Sequence, residues 1–159
     1  MTMSLVPGAS PVSLNEARGW LRMGGASDDA VVEPLLRAAT GICEAFVGQW
    51  LVRRSGSELV PVMQGAARLS VRPVVAVDEV RMVAADGSET VLAVGDYRLS
   101  LAPDGAGRLM IAPQHGAARV RATYRAGMAE TGADVPEAIR HGIVRMTQHL
   151  YEARDAKEV

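Results

Sequence analysis

Apolar residues recur at spacings of three and four in three segments of the chain, and this period predicts helices. The predicted helices span about residues 13–23, 27–50 and 136–155. The first begins at a capping box, because Glu16 follows Ser13 by three positions, and Gly24-Gly25 would end it. The last begins at Pro136, a residue type favoured at the first position of a helix.

Apolar stripes on two of these helices predict the faces that they bury. In the second helix the stripe consists of Val31, Leu35, Ala38, Ile42 and Phe46. In the last helix it consists of Ile139, Ile143, Met146 and Leu150. We expect the last stripe to pack on the second helix and on a sheet, since residues three or four apart share a face. Pro34 predicts a kink in the second helix or a later start.

Between about residues 57 and 127 the period changes to two, which is typical of β-strands. Asp86-Gly87 and Pro103-Asp104-Gly105 separate alternating segments and predict the turns of two hairpins. The pattern therefore predicts an α+β fold in a single domain over residues 1–159. Its elements follow in the order two helices, a β-hairpin-rich segment and a last helix.

The charge composition of the chain limits the classes of molecule that it can bind. With 17 basic and 18 acidic residues the formal net charge is −1, which excludes a strongly basic nucleic-acid binder and a polybasic membrane-surface protein. Lys157 is the single lysine. Arginine favours flat, bidentate ion pairs at interfaces, although an arginine-rich genomic composition explains the same bias.

Neither a membrane segment nor a disulfide is predicted. No apolar run approaches the roughly 20 residues that cross a bilayer, and the segment Met1-Thr2-Met3-Ser4 has no signal-peptide pattern. Cys43 is the only cysteine, and its neighbours Ile42 and Phe46 favour a buried, unreactive thiol. We therefore expect an intracellular, reducing setting.

Residues capable of catalysis are few, and their spacing favours structural roles. His141 and His149 lie eight positions apart on one helix, too far for a zinc pair on adjacent turns. Asp28-Asp29 fits a helix start, and the carboxylates of Asp78-Glu79 are expected on opposite faces of a strand. We predict no catalytic, cofactor-binding or metal-binding residues, and no enzymatic activity.

A stripe of arginines is the candidate binding surface. Arg119, Arg121 and Arg125 would share one face of a strand, with apolar residues on the other. Such a face suits a contact between subunits or the wall of a channel, and it also offers contacts to DNA phosphates. It has no interleaved exposed aromatic residues, which favours a solvated or intersubunit face.

Several short motifs follow one another through most of the chain. They are Ser13-Leu14-Asn15-Glu16-Ala17-Arg18-Gly19-Trp20-Leu21-Arg22, Asp28-Asp29, Cys43-Glu44-Ala45-Phe46-Val47-Gly48, Arg72-Pro73-Val74-Val75-Ala76-Val77-Asp78-Glu79-Val80, Ala85-Asp86-Gly87, Gly95-Asp96-Tyr97-Arg98-Leu99, Tyr124-Arg125-Ala126-Gly127 and the helix from Val135-Pro136-Glu137 to Arg154. Each is common alone. In this order they resemble the head–tail connector, or adaptor, family of long-tailed bacteriophages and gene transfer agents.

The resemblance implies a small bundle of three main helices, interrupted by a β-hairpin-rich insertion between the second and last helix. It also implies a structural subunit of a virion or phage-like particle, made in the host bacterial cytoplasm. It implies a homo-oligomeric ring, typically of twelve copies, on the portal at the neck. Such a ring extends the DNA channel, touches passing DNA, and binds the next neck or tail protein, a stopper. The family's portal contact corresponds by position to Glu152, Ala153, Arg154, Asp155, Ala156, Lys157, Glu158 and Val159.

Other functions remain open at this point. One is a different neck, stopper or tail-completion role in the same particle, and co-purification with a portal would favour the adaptor. Another is a small α+β enzyme or ligand-binding protein, which a deep pocket lined by His141, Arg145 and acidic groups would favour. A DNA-binding module that uses the strand 119–125 is a further alternative.

Overall fold

The computed structural model describes residues 3–4, 8–22 and 29–155, and these form two compact units. The β unit consists of a short N-terminal strand and residues 53–128. The helical unit consists of the described residues that precede and follow this segment. Helices and antiparallel sheets occur together, so the predicted α+β fold is confirmed.

The helical unit contains α1 (Leu14–Leu21), α2 (Asp29–Val47) and α3 (Glu137–Asp155). The capping box at the start of α1 is confirmed. The Ser13 hydroxyl accepts a hydrogen bond from the backbone N–H of Glu16, and the Glu16 carboxylate accepts one from the backbone N–H of Ser13. The helix ends earlier than predicted, because Arg22 adopts a left-handed conformation with φ of 56°. The predicted Gly24-Gly25 cap lies outside the described residues.

The second helix continues through its proline. Asp29 to Glu33 are already helical, so the alternative of a start after Pro34 is wrong. Val47 is the last helical residue, and Gly48 follows with φ of 66°, where an amino acid without a side chain is favoured. The predicted N-terminal part, residues 27 and 28, lies outside the described residues.

The face that α2 buries differs from the predicted one. Its buried residues are Val32, Leu36, Ala39 and Thr40. Three members of the predicted stripe, Ala38, Ile42 and Phe46, are instead exposed, the last two at 44% and 91%. Counted at about 3.6 residues per turn, α2 is apolar over more than half of its circumference. It therefore carries two adjoining apolar stripes, and the periodicity favoured the wrong one as the core.

The stripe on α3 packs as predicted against α2. Ile143 is fully buried, while Ile139, Met146 and Leu150 are partly buried at the same face. The segment by which the chain leaves the helical unit lies beside the segment by which it returns. The backbone N–H of Ala129 donates to the carbonyl oxygen of Leu51 at 2.9 Å. The ends of the β insertion are thus held together, as expected of a segment inserted into a helical bundle.

The β unit contains two antiparallel sheets. In sheet order, the first consists of β1 (Met3–Ser4), β2 (Arg54–Pro61), β8 (Arg119–Ala126), β4 (Val74–Val83) and β5 (Glu89–Val91). The second consists of β3 (Ala66–Arg68), β7 (Gly107–Ile111) and β6 (Tyr97–Leu101). Both predicted hairpins are confirmed, and Gly87 and Gly105 provide their turns with φ of 86° and 78°. The sequence pattern did not predict β1.

A polar cluster lies in the core of the β unit. Glu58 and Tyr124 are both 0% exposed. One carboxylate oxygen of Glu58, Oε1, accepts hydrogen bonds at 2.7 Å from the Tyr124 hydroxyl and from the backbone N–H of Ser70. The cluster joins β2 to the neighbouring strand β8 and to the segment that follows β3.

Tyr124 predicts an alkaline limit to the stability of the fold. Burial, and then the hydrogen bond and negative charge of Glu58, raise the pKa of Tyr124 above its ordinary value of 10.0. Below about pH 10 the hydroxyl is neutral in the folded and unfolded chain, so its stabilisation is complete. At higher pH the unfolded chain ionises first, which favours unfolding by about 1.4 kcal/mol for each further pH unit.

We expect the free energy of unfolding, measured by urea denaturation, to fall steeply between about pH 10 and about pH 12. Tyr124→Phe should be less stable than the wild type at neutral pH and should lose this steep dependence, so the two curves converge as pH rises. Tyr97→Phe is the matched control and should retain the wild-type slope. An undiminished slope in Tyr124→Phe would mean that another group sets the alkaline limit.

Candidate interaction surfaces

The predicted arginine stripe lies on one face of β8, and its side chains are already engaged. Nε of Arg121 donates to Oε1 of Glu89 at 2.7 Å, and Nε of Arg125 donates to Oδ1 of Asp78 at 3.0 Å. Nη2 of Arg119 donates to the carbonyl oxygen of Ala84 at 3.4 Å. The structure therefore brings the three residues together, within a hydrogen-bonded surface.

A β-bulge supplies two of the carboxylates on this face. The register between β4 and β8 shifts between Val77 and Glu79, so an extra residue, Asp78, lies opposite β8. The prediction that Asp78 and Glu79 lie on opposite faces is therefore wrong. Glu79 accepts from Nε of Arg81 at 2.6 Å, and this hydrogen bond lowers the pKa of Glu79. Arginines and carboxylates nearly balance here, so the face offers little free charge.

A second group of arginines lies on the exposed face of the other sheet. Arg68, Arg108 and Arg98 come from β3, β7 and β6, and all three are exposed. No described residue forms an ion pair or hydrogen bond with their side chains. Sequence reasoning missed this group. Each of three short strands carries one arginine at an outward position. These arginines can be recognised as a group only when the pairing of the strands is known.

An apolar surface lies on α2, formed by Leu35, Ala38, Ile42, Ala45 and Phe46, and we name it the α2 apolar face. Phe46, the only phenylalanine of the chain, is almost fully exposed, and Ala38 and Ala45 of the same helix are also exposed. A contiguous exposed apolar surface usually marks a contact with another molecule. The side chain that the sequence predicted as core is thus a candidate for an interface.

The predicted portal-contact residues lie partly in the last turns of α3. Glu152, Ala153 and Arg154 are exposed there, and Asp155 is the last helical residue. Nε2 of Gln148 donates to Glu152 at 2.8 Å, and the Arg154 guanidinium lies 4.3 Å from the centre of the Tyr151 ring. The remaining predicted contacts, Ala156, Lys157, Glu158 and Val159, lie outside the described residues.

The groove beside His141 is open rather than deep. It has a volume of about 340 Å³, and Trp20 lies edge-on to His141 with 5.0 Å between ring centres. Glu16 and Arg140, which line it, form an ion pair with each other. Arg145 is not part of its lining. The pocket that would favour an enzyme is therefore not formed from these residues.

Other reactive side chains are also dispersed. Nε2 of His115 lies 3.2 Å from a carboxylate oxygen of Asp96. Cys43 is half-buried rather than buried, and burial raises the pKa of its thiol, which opposes reactivity. In the part of the chain that the structure describes, no three histidine, cysteine or acidic side chains are placed to hold a metal ion. None of the described helices is both long and apolar enough to cross a membrane.

No protein-family model matches the sequence, and no curated protein matches it. Three solved structures contain chains of the same fold. They are the neck of an empty gene transfer agent (GTA) particle computed with C6 symmetry, at 24% sequence identity and TM-score 0.75; the virion of a native GTA particle, at 25% and 0.73; and the neck of a native GTA particle computed with C12 symmetry, at 22% and 0.69.

Each similarity covers 96% of this chain and 84% of the other. Nearly the whole described architecture is therefore shared, both the helices and the β insertion. The chain has the fold of chains from gene transfer agent particles and their necks, and its resemblance to the head–tail connector family is confirmed at the level of the fold.

Proposed function

We propose that this chain is a structural, non-enzymatic subunit of the neck of a gene transfer agent or tailed-phage particle. In this role it is an adaptor that forms a ring on the portal, extends the DNA channel and joins the head to the tail. The observation that carries the proposal is the fold, which is shared over 96% of the chain with neck chains of GTA particles. It would be made in the bacterial cytoplasm and act in the particle.

Ring formation requires a surface that binds a second copy of the chain. The similar neck structures were computed with C6 and C12 symmetry, which describes repeated copies around an axis. In such a ring each contact is heterologous, so one surface of a subunit meets a different surface of the next. The α2 apolar face fits one side of this contact, because exposed aromatic and aliphatic side chains lose water when a neighbour covers them. We assign a second copy as its occupant.

The other contacts belong to different parts of the chain. The end of α3, where Glu152, Ala153 and Arg154 are exposed, is the proposed portal contact, since these residues correspond by position to the portal contact of the resembled family. The ion-paired face with Arg119, Arg121 and Arg125 suits an intersubunit contact better than a DNA contact. Its guanidinium groups already have partners, so a phosphate would have to displace them.

Two alternatives make different predictions. A stopper or tail-completion protein of the same particle would bind a completed neck instead of a bare portal. A small enzyme or ligand-binding protein would need an enclosed site, whereas the groove by His141 is open and holds a carboxylate and guanidinium that neutralise each other. The adaptor is the function that the exposed surfaces and the fold support best.

Mixing the purified chain with portal rings tests the proposal. We expect native mass measurement to show several copies bound to each portal ring, and electron microscopy to show them as a second ring that continues the channel. A variant with Arg154→Glu tests the proposed portal contact and should weaken docking. Its matched control is Arg145→Glu, at an exposed position about two and a half helical turns earlier. Binding only to portals that already carry another neck protein would favour a stopper instead, and no binding to either would contradict a neck role.

A further inference from the structure

The second sheet presents three arginines from three neighbouring strands on one surface. Arg68 of β3 lies directly opposite Arg108 of β7, and Arg98 of β6 lies opposite Met110, two positions along β7. Residues directly opposite or diagonal in a sheet have Cα atoms about 5–8 Å apart, within reach of long side chains. Alternation along each strand places all three side chains on the same exposed face.

This three-arginine face differs from the arginine stripe on β8 in its pairing. On β8 each arginine donates to a carboxylate or carbonyl oxygen. On the second sheet, no described carboxylate pairs with Arg68, Arg98 or Arg108. Asp104, in the adjoining turn, is engaged by Arg72 and by the backbone N–H of Ala106. Like charges directly opposite in a sheet are destabilising, so the arrangement costs stability unless an anion binds.

A shallow depression beside these residues offers room for such an anion. It has a volume of about 360 Å³ and is lined by Arg68, Arg108 and the hydroxyl-bearing Ser100, together with the turn that follows β6. This turn includes Asp104, whose carboxylate is neutralised by Arg72. The surrounding outward side chains, Ala66 and Met110, are small or flexible and leave the guanidinium groups accessible. A flat surface of this kind suits an extended polyanion better than a small ligand, which needs an enclosing pocket.

In the part of the chain that the structure describes, a second copy offers little free matching charge. The described carboxylates are dispersed, and most of them are already occupied. The occupied ones include Glu16, Asp29, Glu33, Asp78, Glu79, Glu89 and Asp104. The face also lacks an aromatic anchor of the kind that protein–protein contacts use. Guanidinium groups bind phosphate oxygens in a bidentate manner without needing such an anchor.

We propose that the three-arginine face binds the phosphodiester backbone of double-stranded DNA, independently of its sequence. The inference rests on the proposed function for the source of the DNA, and the binding itself is a property of the isolated chain. Three phosphate contacts predict a slope of about −2.7 in a plot of log binding constant against log salt concentration. The contact is thus weak and reversible at physiological salt, as a surface over which DNA moves requires.

The test compares two triple variants of the full chain with the same change in charge. Arg68→Gln/Arg98→Gln/Arg108→Gln removes the proposed contacts, and Arg119→Gln/Arg121→Gln/Arg125→Gln removes the paired stripe on β8. Fluorescence anisotropy of a labelled duplex of about 20 base pairs, between about 50 and about 200 mM salt, measures the binding. Thermal melts verify folding, and the first variant should melt no lower than the wild type, since it removes opposed like charges.

We expect the first variant to lose about tenfold or more in affinity at the lowest salt, with the salt slope reduced by about 1 for each arginine removed. The β8 variant should lose less than about threefold. Equal losses in both variants, or no binding by the wild type at low salt, would overturn the inference. Arginine-dependent binding of polyglutamate without binding of DNA would also overturn it, in favour of an acidic protein surface. Docking on portal rings is measured separately, so a chain that binds DNA but does not dock as a ring contradicts the proposed function and leaves the DNA contact standing.

Discussion

Replacing Glu58 with alanine is expected to lower the free energy of unfolding by about 3–5 kcal/mol. The substitution leaves the buried Tyr124 hydroxyl and the part-buried Ser70 backbone N–H without their acceptor. Each unsatisfied buried group costs about 1–3 kcal/mol, and the cavity left by the removed side chain adds to this. A domain of ordinary stability has only about 5–15 kcal/mol in total. Urea denaturation followed by circular dichroism measures the loss.

Glu58→Gln is the matched control, since the glutamine carbonyl can accept the same two hydrogen bonds. It should cost less than about 1.5 kcal/mol, the usual net contribution of a hydrogen bond. Combining Glu58→Ala with Tyr124→Phe should cost less than the sum of the two single variants, because each already removes the shared hydrogen bond. Additive losses would show that the two residues stabilise the β unit independently. A loss below about 1 kcal/mol for Glu58→Ala would mean that water replaces the carboxylate.

The features that the sequence predicted correctly depend on neighbours within a few positions. The capping box of Ser13 and Glu16 closes within one helical turn, and the two hairpins require glycine at positive φ in a short turn. The stripe on α3 has a single apolar face, so its period admits one packing direction. Such local signals determine a helix or a turn independently of how the rest of the chain folds.

The features that the sequence did not predict depend on which strands and helices become neighbours. Glu58 and Tyr124 are separated by 66 positions, and only the pairing of β2 with β8 turns both toward the core. The bulge at Asp78 reverses the expected orientation of a carboxylate, and no local pattern marks it. The three-arginine face requires the register of three short strands. Candidate interaction surfaces are therefore the part of this protein that needed the structure.

The second helix was predicted correctly as an element, but its buried face was not. Its exposed face gives the prediction with the largest effect on assembly. Two apolar stripes adjoin on α2, and a monomer can bury only one of them against α1 and α3. A chain that acted alone would gain solubility from polar residues at Ile42 and Phe46, so their apolar character indicates a surface that another subunit covers. A charge at Phe46 is therefore predicted to prevent ring formation while leaving the subunit folded.

Phe46→Glu is expected to weaken each contact between subunits by about 2–4 kcal/mol, the cost of losing a central aromatic side chain and burying a charge. This corresponds to a loss of about 30-fold or more at every interface of the ring. At micromolar concentration, light scattering and native mass measurement should then detect monomers in place of rings. Because Phe46 is 91% exposed, the stability of the monomer should change by less than about 0.5 kcal/mol.

Val94→Glu is the matched control, since Val94 is 81% exposed and belongs to the β unit, whereas Phe46 belongs to the helical unit. It introduces the same charge in place of an exposed apolar side chain and should leave the rings intact. Rings formed by Phe46→Glu at wild-type concentrations would remove α2 from the interface. A large loss of monomer stability in Phe46→Glu would instead show that this residue belongs to the core, as the periodicity alone predicts. The two measurements together separate a surface that is shaped for a neighbouring subunit from one that only stabilises its own helix.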